Sequence, residues 1–244
     1  MQINFGGREI ALKLVYYGPA LSGKTTNLRA LHQLTSDQAR GRLMTLETRD
    51  DRTLFFDMLP VTLRAEVPAG GMALRIKIFT VPGQVLHAST RRLVLQGADG
   101  IAFVADSQLS ETEHNAASFL DLRRNLSELS LSLRSFPVVI QFNKRDLPQV
   151  RPDHELAMLA GRGREPVFKA SAVTGQGVLE TFFGLLHMTW TKLDAEHGLA
   201  SMIGIPAAEL LPMAARQLGI TTDVRELLGA SLGGRLDVGH GGRS

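Results

Sequence analysis

The residues with the most legible chemistry are Gly18-Pro19-Ala20-Leu21-Ser22-Gly23-Lys24-Thr25. They follow the apolar run Ile10 to Tyr17 and precede Thr26 to Leu34, a stretch patterned as helix. Strand, then G-x-x-x-x-G-K-[ST], then helix is the context in which this spacing grips phosphate. A short loop ended by glycines turns successive backbone N–H groups inward. The helix behind it presents the positive end of its dipole, so several donors converge on one polyphosphate. Gly18 through Thr26 then form the cradle, Lys24 reaches the β- and γ-phosphates, and Thr25 offers its hydroxyl to Mg²⁺.

Other stretches stand just after expected strand ends, where a nucleotide held by Lys24 can reach them. Asn143-Lys144-Arg145-Asp146 follows the apolar run Val138 to Phe142. A carboxylate at Asp146 accepts from both N1–H and the exocyclic amine of guanine, a donor pair that adenine lacks, so it selects GTP over ATP. A site built this way rejects the analogue by about 10⁴ to 10⁵, because buried polar groups are left unpaired. Asn143 holds the base edge and the neighbouring loop, and the stem of Lys144 lies along the ring face. Ser171 and Ala172, after Pro166 to Lys169, are small enough for a backbone N–H to approach the guanine oxygen.

Thr80-Val81-Pro82-Gly83-Gln84 follows Leu74 to Phe79. Here a Gly83 N–H senses the γ-phosphate and Gln84 orients the attacking water. Thr80 stands where most GTPases of this kind carry aspartate. It adds no negative charge, so Mg²⁺ is expected to rely on Thr25, the phosphates and Thr53. Thr53 lies in a polar stretch and can ligand Mg²⁺ in the GTP state and let go after hydrolysis, an order–disorder switch. Its neighbour Arg52 is placed to supply a guanidinium in cis, an effect worth about 10³ to 10⁵ in rate. On the residues alone, a solvent-facing arginine is the plainer reading.

These residues need a scaffold, and the pattern supplies one. The polar segment Thr35 to Phe56 reads as a long loop. Val61 to Val67 and Leu74 to Phe79 alternate around Pro68-Ala69-Gly70-Gly71, a hairpin that brings one antiparallel strand into the sheet. Ile101 to Ala105 and Val138 to Phe142 are short apolar runs suited to buried parallel strands. Between them Ser110-x-x-Glu113 reads as a capping box, with Phe119, Leu122, Leu126 and Leu129 at helical spacing. A helix near Pro152 to Ala160, a strand at Pro166 to Lys169 and a helix from Val178 through Leu193 complete the alternation. Such a sheet places its ligand beyond the carboxyl ends of the parallel strands.

With 244 residues, 44% hydrophobic and 21% charged, the chain can bury a full core. A net charge of +3 is too small to argue for nucleic acid. The absence of cysteine excludes disulfides, thiolate metal sites and lipid attached through cysteine. The start has no basic end followed by an apolar core, Gln2 stands where myristoylation needs glycine, and no apolar run approaches bilayer length. The expectation is a cytoplasmic protein with no nucleic-acid partner and no stable membrane anchor. The seven histidines fall at no metal spacing, and Ser22 and Ser171 have no evident His-Asp partners.

From about Ile3 to Leu193 the chain resembles the MglA-type bacterial Ras-like GTPases of gliding motility and cell polarity. The matching stretches are Arg8-Glu9-Ile10, Val15-Tyr16-Tyr17-Gly18-Pro19, Gly23 to Leu28, Arg52-Thr53-Leu54-Phe55-Phe56-Asp57, Thr80 to Val85, Phe103 to Ser107 and Asn143 to Pro148. The resemblance implies an α/β P-loop NTPase with a Ras-like mixed six-stranded sheet, one antiparallel strand and helices on both faces. It implies that threonine at position 80 is a group trait, that Arg52 is the intrinsic arginine finger and that Gln84 positions the water. It also implies a slow GTPase that cycles between GTP and GDP, stimulated by a Roadblock-type (MglB-like) homodimer and recruited with polarity or motility effectors to a cell pole. The family usually has glycine at the position of Ala20. A methyl group there crowds the side chains that meet the γ-phosphate, so the expectation is a GTP-biased switch.

Residues 1–195 are expected to form the Ras-like domain and 196–244 an extension. In the extension Pro212 opens a helix that stops at Gly219, Asp223-x-x-Glu226 caps another leading to Leu227-Leu228, and Gly229 to Ser244 reads as disordered. Ala215 to Leu228 has a faint helix-turn-helix spacing, but its apolar positions fit poorly and basic residues are few. Two functional classes stay open: a hydrolysing switch, and a scaffold that holds GTP without useful hydrolysis. An ATP-using enzyme is the third reading.

Overall fold

The apolar run after Glu9 becomes the central strand of a single sheet. In a computed structural model that describes residues 1–47, 55–64, 72–82 and 88–232, the strands are β1 (Gln2–Asn4), β2 (Glu9–Tyr17), β3 (Met44–Glu47), β4 (Phe55–Arg64), β5 (Ala73–Thr80), β6 (Gly100–Asp106), β7 (Val138–Asn143) and β8 (Val167–Lys169). The sheet order is β3-β4-β5-β2-β6-β7-β8, with β1 antiparallel beside β2. From β5 to β8 neighbouring strands run parallel, while β4 runs antiparallel to both β3 and β5. All six expected strands are present, and two short ones, β1 and β3, extend the sheet.

The helices are α1 (Lys24–Leu34), α2 (Ala88–Leu95), α3 (Thr112–Glu128), α4 (Asp153–Arg162), α5 (Val178–His197), α6 (Leu199–Ile203), α7 (Leu210–Gln217) and α8 (Val224–Leu232). One face of the sheet buries Leu12, Leu14 and Leu59 against Leu28 and Leu31 of α1 and Phe182 and Leu186 of α5. The other buries Val15 and Ile101 against Leu95 of α2 and Leu122 and Leu126 of α3. Every residue of β6 is buried, as a continuous apolar run at the centre of a two-sided sheet requires. Strands β4 and β5 instead alternate buried and half-buried residues, from Phe56 to Leu63 and along all of β5.

The structure corrects three sequence expectations. Thr35 to Phe56 is not one loop, because Met44–Glu47 pairs with the start of β4, Glu47 opposite Phe55. Ser110 and Glu113 do not form a capping box. The chain enters α3 through a 3₁₀ turn at Leu109–Glu111, so Ser110 is already inside a helical turn, and no side chain caps α3. The C-terminal segment starts earlier than expected, with α6 directly after Gly198, and packs on the main core through Leu199, Leu210, Met213, Leu218, Val224 and Leu228. Pro212 lies inside α7 and Gly219, at φ 75°, ends it as expected. Asp223 Oδ1 caps α8 by accepting from the Arg225 N–H at 2.8 Å. Of the stretch expected to be disordered, residues 229–232 belong to α8 and 233–244 lie outside the described residues. Among the described residues no helix is long and apolar enough to cross a membrane.

Candidate functional site

The loop Gly18 to Gly23 leaves the end of β2 and enters α1 in a conformation that its residue types dictate. Gly18 has φ 147°, and a side chain there would collide with the Val104 carbonyl oxygen at 2.2 Å. Gly23 has φ 94°, and its added Cβ would sit 2.2 Å from Asn143 Nδ2. Leu21 adopts φ 61°, strained for a branched side chain, and is 87% exposed. No side chain caps α1 and no acidic residue lies in its first turn, so its N-terminal amides and dipole favour an anion.

Lys24 folds back over the loop, its Nζ donating to the carbonyls of Gly18 at 3.0 Å and Pro19 at 2.6 Å. Burial pushes this ammonium down to about 7, and the positive charge of nearby Arg91 pushes the same way. Arg91, buried on α2, lies 2.9 Å from Asp121 of α3, whose carboxylate also accepts from the Tyr17 hydroxyl at the end of β2. Arg91, Asp121 and Ala20 line one cavity of about 530 Å³ beside the loop.

Asn143, at the end of β7, ties two of the expected stretches together. Its Nδ2 donates to the Ser22 carbonyl at 2.9 Å and its Oδ1 accepts from the Ala172 N–H at 2.9 Å. The expected hold on the neighbouring loop is therefore present. Ser171 donates to Asp146 Oδ1, and the Arg145 N–H donates to the Ala170 carbonyl at 3.0 Å. Asp146 is exposed, with one carboxylate oxygen oriented by Ser171. Lys144 adopts φ 66° and places its ammonium 2.6 Å from Asp106 at the end of β6. Behind the loop, buried Asn27 of α1 donates to the Gly23 carbonyl at 3.0 Å and accepts from Gln141 of β7 at 2.9 Å. Thr26 is half-buried in the first turn of α1.

Asp57 is the residue that sequence reasoning missed. It lies on β4, only 8% exposed, and accepts from the Thr25 hydroxyl at 2.6 Å, from Thr45 at 2.9 Å and from Thr80 at 3.3 Å. Its own N–H donates to Thr80 Oγ1 at 2.9 Å. Thr80 thus orients a carboxylate rather than standing in for one, and negative charge does reach this corner of the site. A readable signal existed: Asp57 shares the buried face of β4 with Leu59, Val61 and Leu63, so extending the alternation back from Val61 puts a carboxylate in an apolar register.

Thr25, Thr80 and Asp57 offer hard oxygen donors, the set that Mg²⁺ accepts when phosphates complete its shell. No group of three or more His, Cys, Asp or Glu side chains that could cage a metal occurs among the described residues. The Thr25 proton is committed to Asp57, which leaves the hydroxyl lone pairs for a cation. Arg52, Thr53, Gly83 and Gln84 lie outside the described residues. The remaining predicted residues, from Gly18, Lys24 and Thr25 to Asn143, Asp146, Ser171 and Ala172, come together at the carboxyl ends of β2, β7 and β8.

No family model matches the chain. Across 191 residues, 78% of this chain and 96% of its relative, the sequence is 44% identical to the mutual gliding-motility protein MglA of Myxococcus xanthus (strain DK1622).

Proposed function

The chain belongs to the MglA family, and from that premise we propose that it is a guanine-nucleotide switch that hydrolyses GTP to GDP and phosphate and recruits partners in gliding motility or cell polarity. The observation that carries this reading is the coupling of the phosphate loop to the base-reading stretch through one side chain, Asn143, bonded to both Ser22 and Ala172. A nucleotide held at one end is then registered at the other. The loop amides and Lys24 take the β- and γ-phosphates. Asp146, one oxygen held by Ser171, accepts from N1–H and the 2-amine of guanine, and the Ala172 backbone approaches its oxygen. Thr25 and Asp57 face Mg²⁺, which, when bound, neutralises charge on the β- and γ-phosphate oxygens.

Hydrolysis is assigned to Gln84, which orients water toward the γ-phosphorus, and to Arg52, which neutralises charge on the departing phosphoryl group. Thr53 joins the Mg²⁺ shell in the GTP state and Gly83 senses the γ-phosphate. These four roles rest on the family resemblance and on position after β5 and before β4. The activator is a Roadblock-type homodimer of the MglB kind, which realigns the loops around Thr53 and Gln84, and the protein acts in the cytoplasm with recruitment to a cell pole. Residues 196–244 are read as an extension of a 1–195 family domain, a division in keeping with a match of 191 residues, 78% of this chain and 96% of the relative.

Phosphate release from GTP-loaded protein, with and without an MglB-like homodimer, tests the reading. Stimulated release that is lost in both Gln84→Ala and Arg52→Ala supports it. No release under either condition favours the GTP-holding scaffold, with Ala20 and Thr80 as the reason.

A further inference from the structure

Helix α7, in the C-terminal segment, and the residue after it touch the site's framework at two points. Gln217 pairs with the backbone of Arg64, the last residue of β4: the Arg64 N–H donates to Gln217 Oε1 at 2.9 Å and Gln217 Nε2 donates to the Arg64 carbonyl at 2.6 Å. Next to it, the Leu218 carbonyl accepts from the Ser36 N–H at 2.7 Å, two residues beyond α1. Gly219 sits so close to Ser36 that an added Cβ would come within 3.0 Å of its side chain.

These contacts complete a pattern along the outer edge of β4. Phe55 to Met58 pair with β3. The Gly41 N–H donates to the Pro60 carbonyl at 2.7 Å, and the Thr62 N–H donates to the Ala39 carbonyl at 2.7 Å. Gln217 takes the next ladder position at Arg64. A side-chain amide thus does there what another strand would do. Asp57 lies seven residues back on the same strand, about 23 Å away at the usual rise. Elements α1 and β4 therefore meet at one end through Thr25 and Asp57, and at the other both are held by α7. Any slide of β4 along its axis that takes Asp57 away from Thr25 breaks the Gln217–Arg64 pair together with the β4–β5 ladder from Met58 to Arg64.

We propose that Gln217 is a positioning residue: by extending the ladders that set the register of β4 to its last residue, it steadies the Asp57 carboxylate at Thr25, so that this C-terminal segment tunes how firmly Mg²⁺ and nucleotide are retained. The inference rests on the nucleotide-site reading for its Mg²⁺ consequence. Its structural consequence, the coupling of Gln217 to the Asp57 end of β4, stands apart from that reading.

Two variants of the full chain test it, Gln217→Ala and Gln217→Glu, the second keeping the acceptor for the Arg64 N–H but losing the donor. Hydrogen exchange followed by mass spectrometry reads β4 directly. Retention of a fluorescent GDP as a function of Mg²⁺ reads the site. In Gln217→Ala, exchange is expected to speed up at the Phe56 to Met58 end as well as at Arg64. The Mg²⁺ needed for half-maximal retention is expected to rise roughly threefold to tenfold, the scale of one or two lost hydrogen bonds. Release in excess EDTA stays unchanged, and Gln217→Glu falls between. Faster exchange confined to Arg64, or a lowered Tm with wild-type Mg²⁺ dependence, would reduce Gln217 to a surface contact and overturn the proposal. If no guanine nucleotide binds at all, the nucleotide reading fails, and exchange at Phe56 to Met58 still decides whether Gln217 controls β4.

Discussion

The Thr25 hydroxyl donates to the Asp57 carboxylate across 2.6 Å, joining the first turn of α1 to β4 inside a nearly closed corner of the molecule. Thr80 completes the arrangement by accepting from the Asp57 N–H at 2.9 Å and donating to its carboxylate at 3.3 Å. A threonine at the end of β5 is thereby compatible with the proposed Mg²⁺ site, since a carboxylate arrives from the next strand.

Asp57→Asn tests that assignment, because it keeps the shape and removes the charge. Hydrogen bonds to charged groups are worth about 1.5–3 kcal/mol, so the Mg²⁺ needed to retain nucleotide should rise about 10- to 100-fold. Release in excess EDTA should match the wild type. An unchanged Mg²⁺ titration would remove Asp57 from the site.

Lys24 makes binding pH-dependent. Burial, with Arg91 adding to it, holds its ammonium near 7 in the protein alone, and a phosphate beside it raises the value again. Above about 7 the protein alone has lost a proton that the complex regains, so binding takes up close to one proton and affinity falls by up to about tenfold per pH unit. A unit or more below that value both states are protonated and uptake vanishes. Calorimetry in buffers of different ionisation enthalpy checks this, and zero uptake on the alkaline side would contradict it.

Gly23→Ala should uncouple the two halves of the site. The new Cβ would meet Asn143 Nδ2 at 2.2 Å in a backbone at φ 94°, so the Asn143 amide must leave Ser22. A loss of about 1–3 kcal/mol in stability is expected from the strained backbone, with nucleotide affinity falling well beyond what that loss explains. Urea unfolding and nucleotide titration on the same variant separate the two effects, and affinity at the wild-type level would show that the link is dispensable.

Ala20→Gly should hydrolyse GTP faster in a single turnover. Ala20 lines the cavity shared with Arg91 and Asp121, beside the γ-phosphate position of the proposed site, and removing its methyl group is expected to make room for the side chains proposed to act there, Gln84 and Arg52. Equal single-turnover rates in the two proteins would show that Ala20 is not what limits hydrolysis.

The pattern of the chain announced the phosphate loop, the strands behind it and the loop after β7 because each is local: glycines at fixed spacing, an apolar run, a helix. Asp57 escapes a reading that starts the strand at Val61, which leaves it between that strand and the loop Thr35 to Phe56. The strand begins earlier, at Phe55, and its alternation turns Asp57 to the same buried side as Leu59 and Val61. The tail was half legible. Gly219 and Asp223 mark helix ends wherever they occur, yet α6, at five residues, is too short to show a period. The meeting of Gln217 with Arg64 spans 153 positions, a separation that no local pattern encodes.

The central claim is that one pocket holds a triphosphate at Lys24 while Asp146 chooses the purine. Calorimetric titration of nucleotide-stripped protein with Mg-GTP and Mg-ATP, repeated on Asp146→Asn, tests it most directly. The account predicts tight binding of GTP, ATP weaker by about 10⁴ or more, and collapse of that preference in the variant. Absence of heat with GTP, or equal affinity for the two nucleotides, would contradict it.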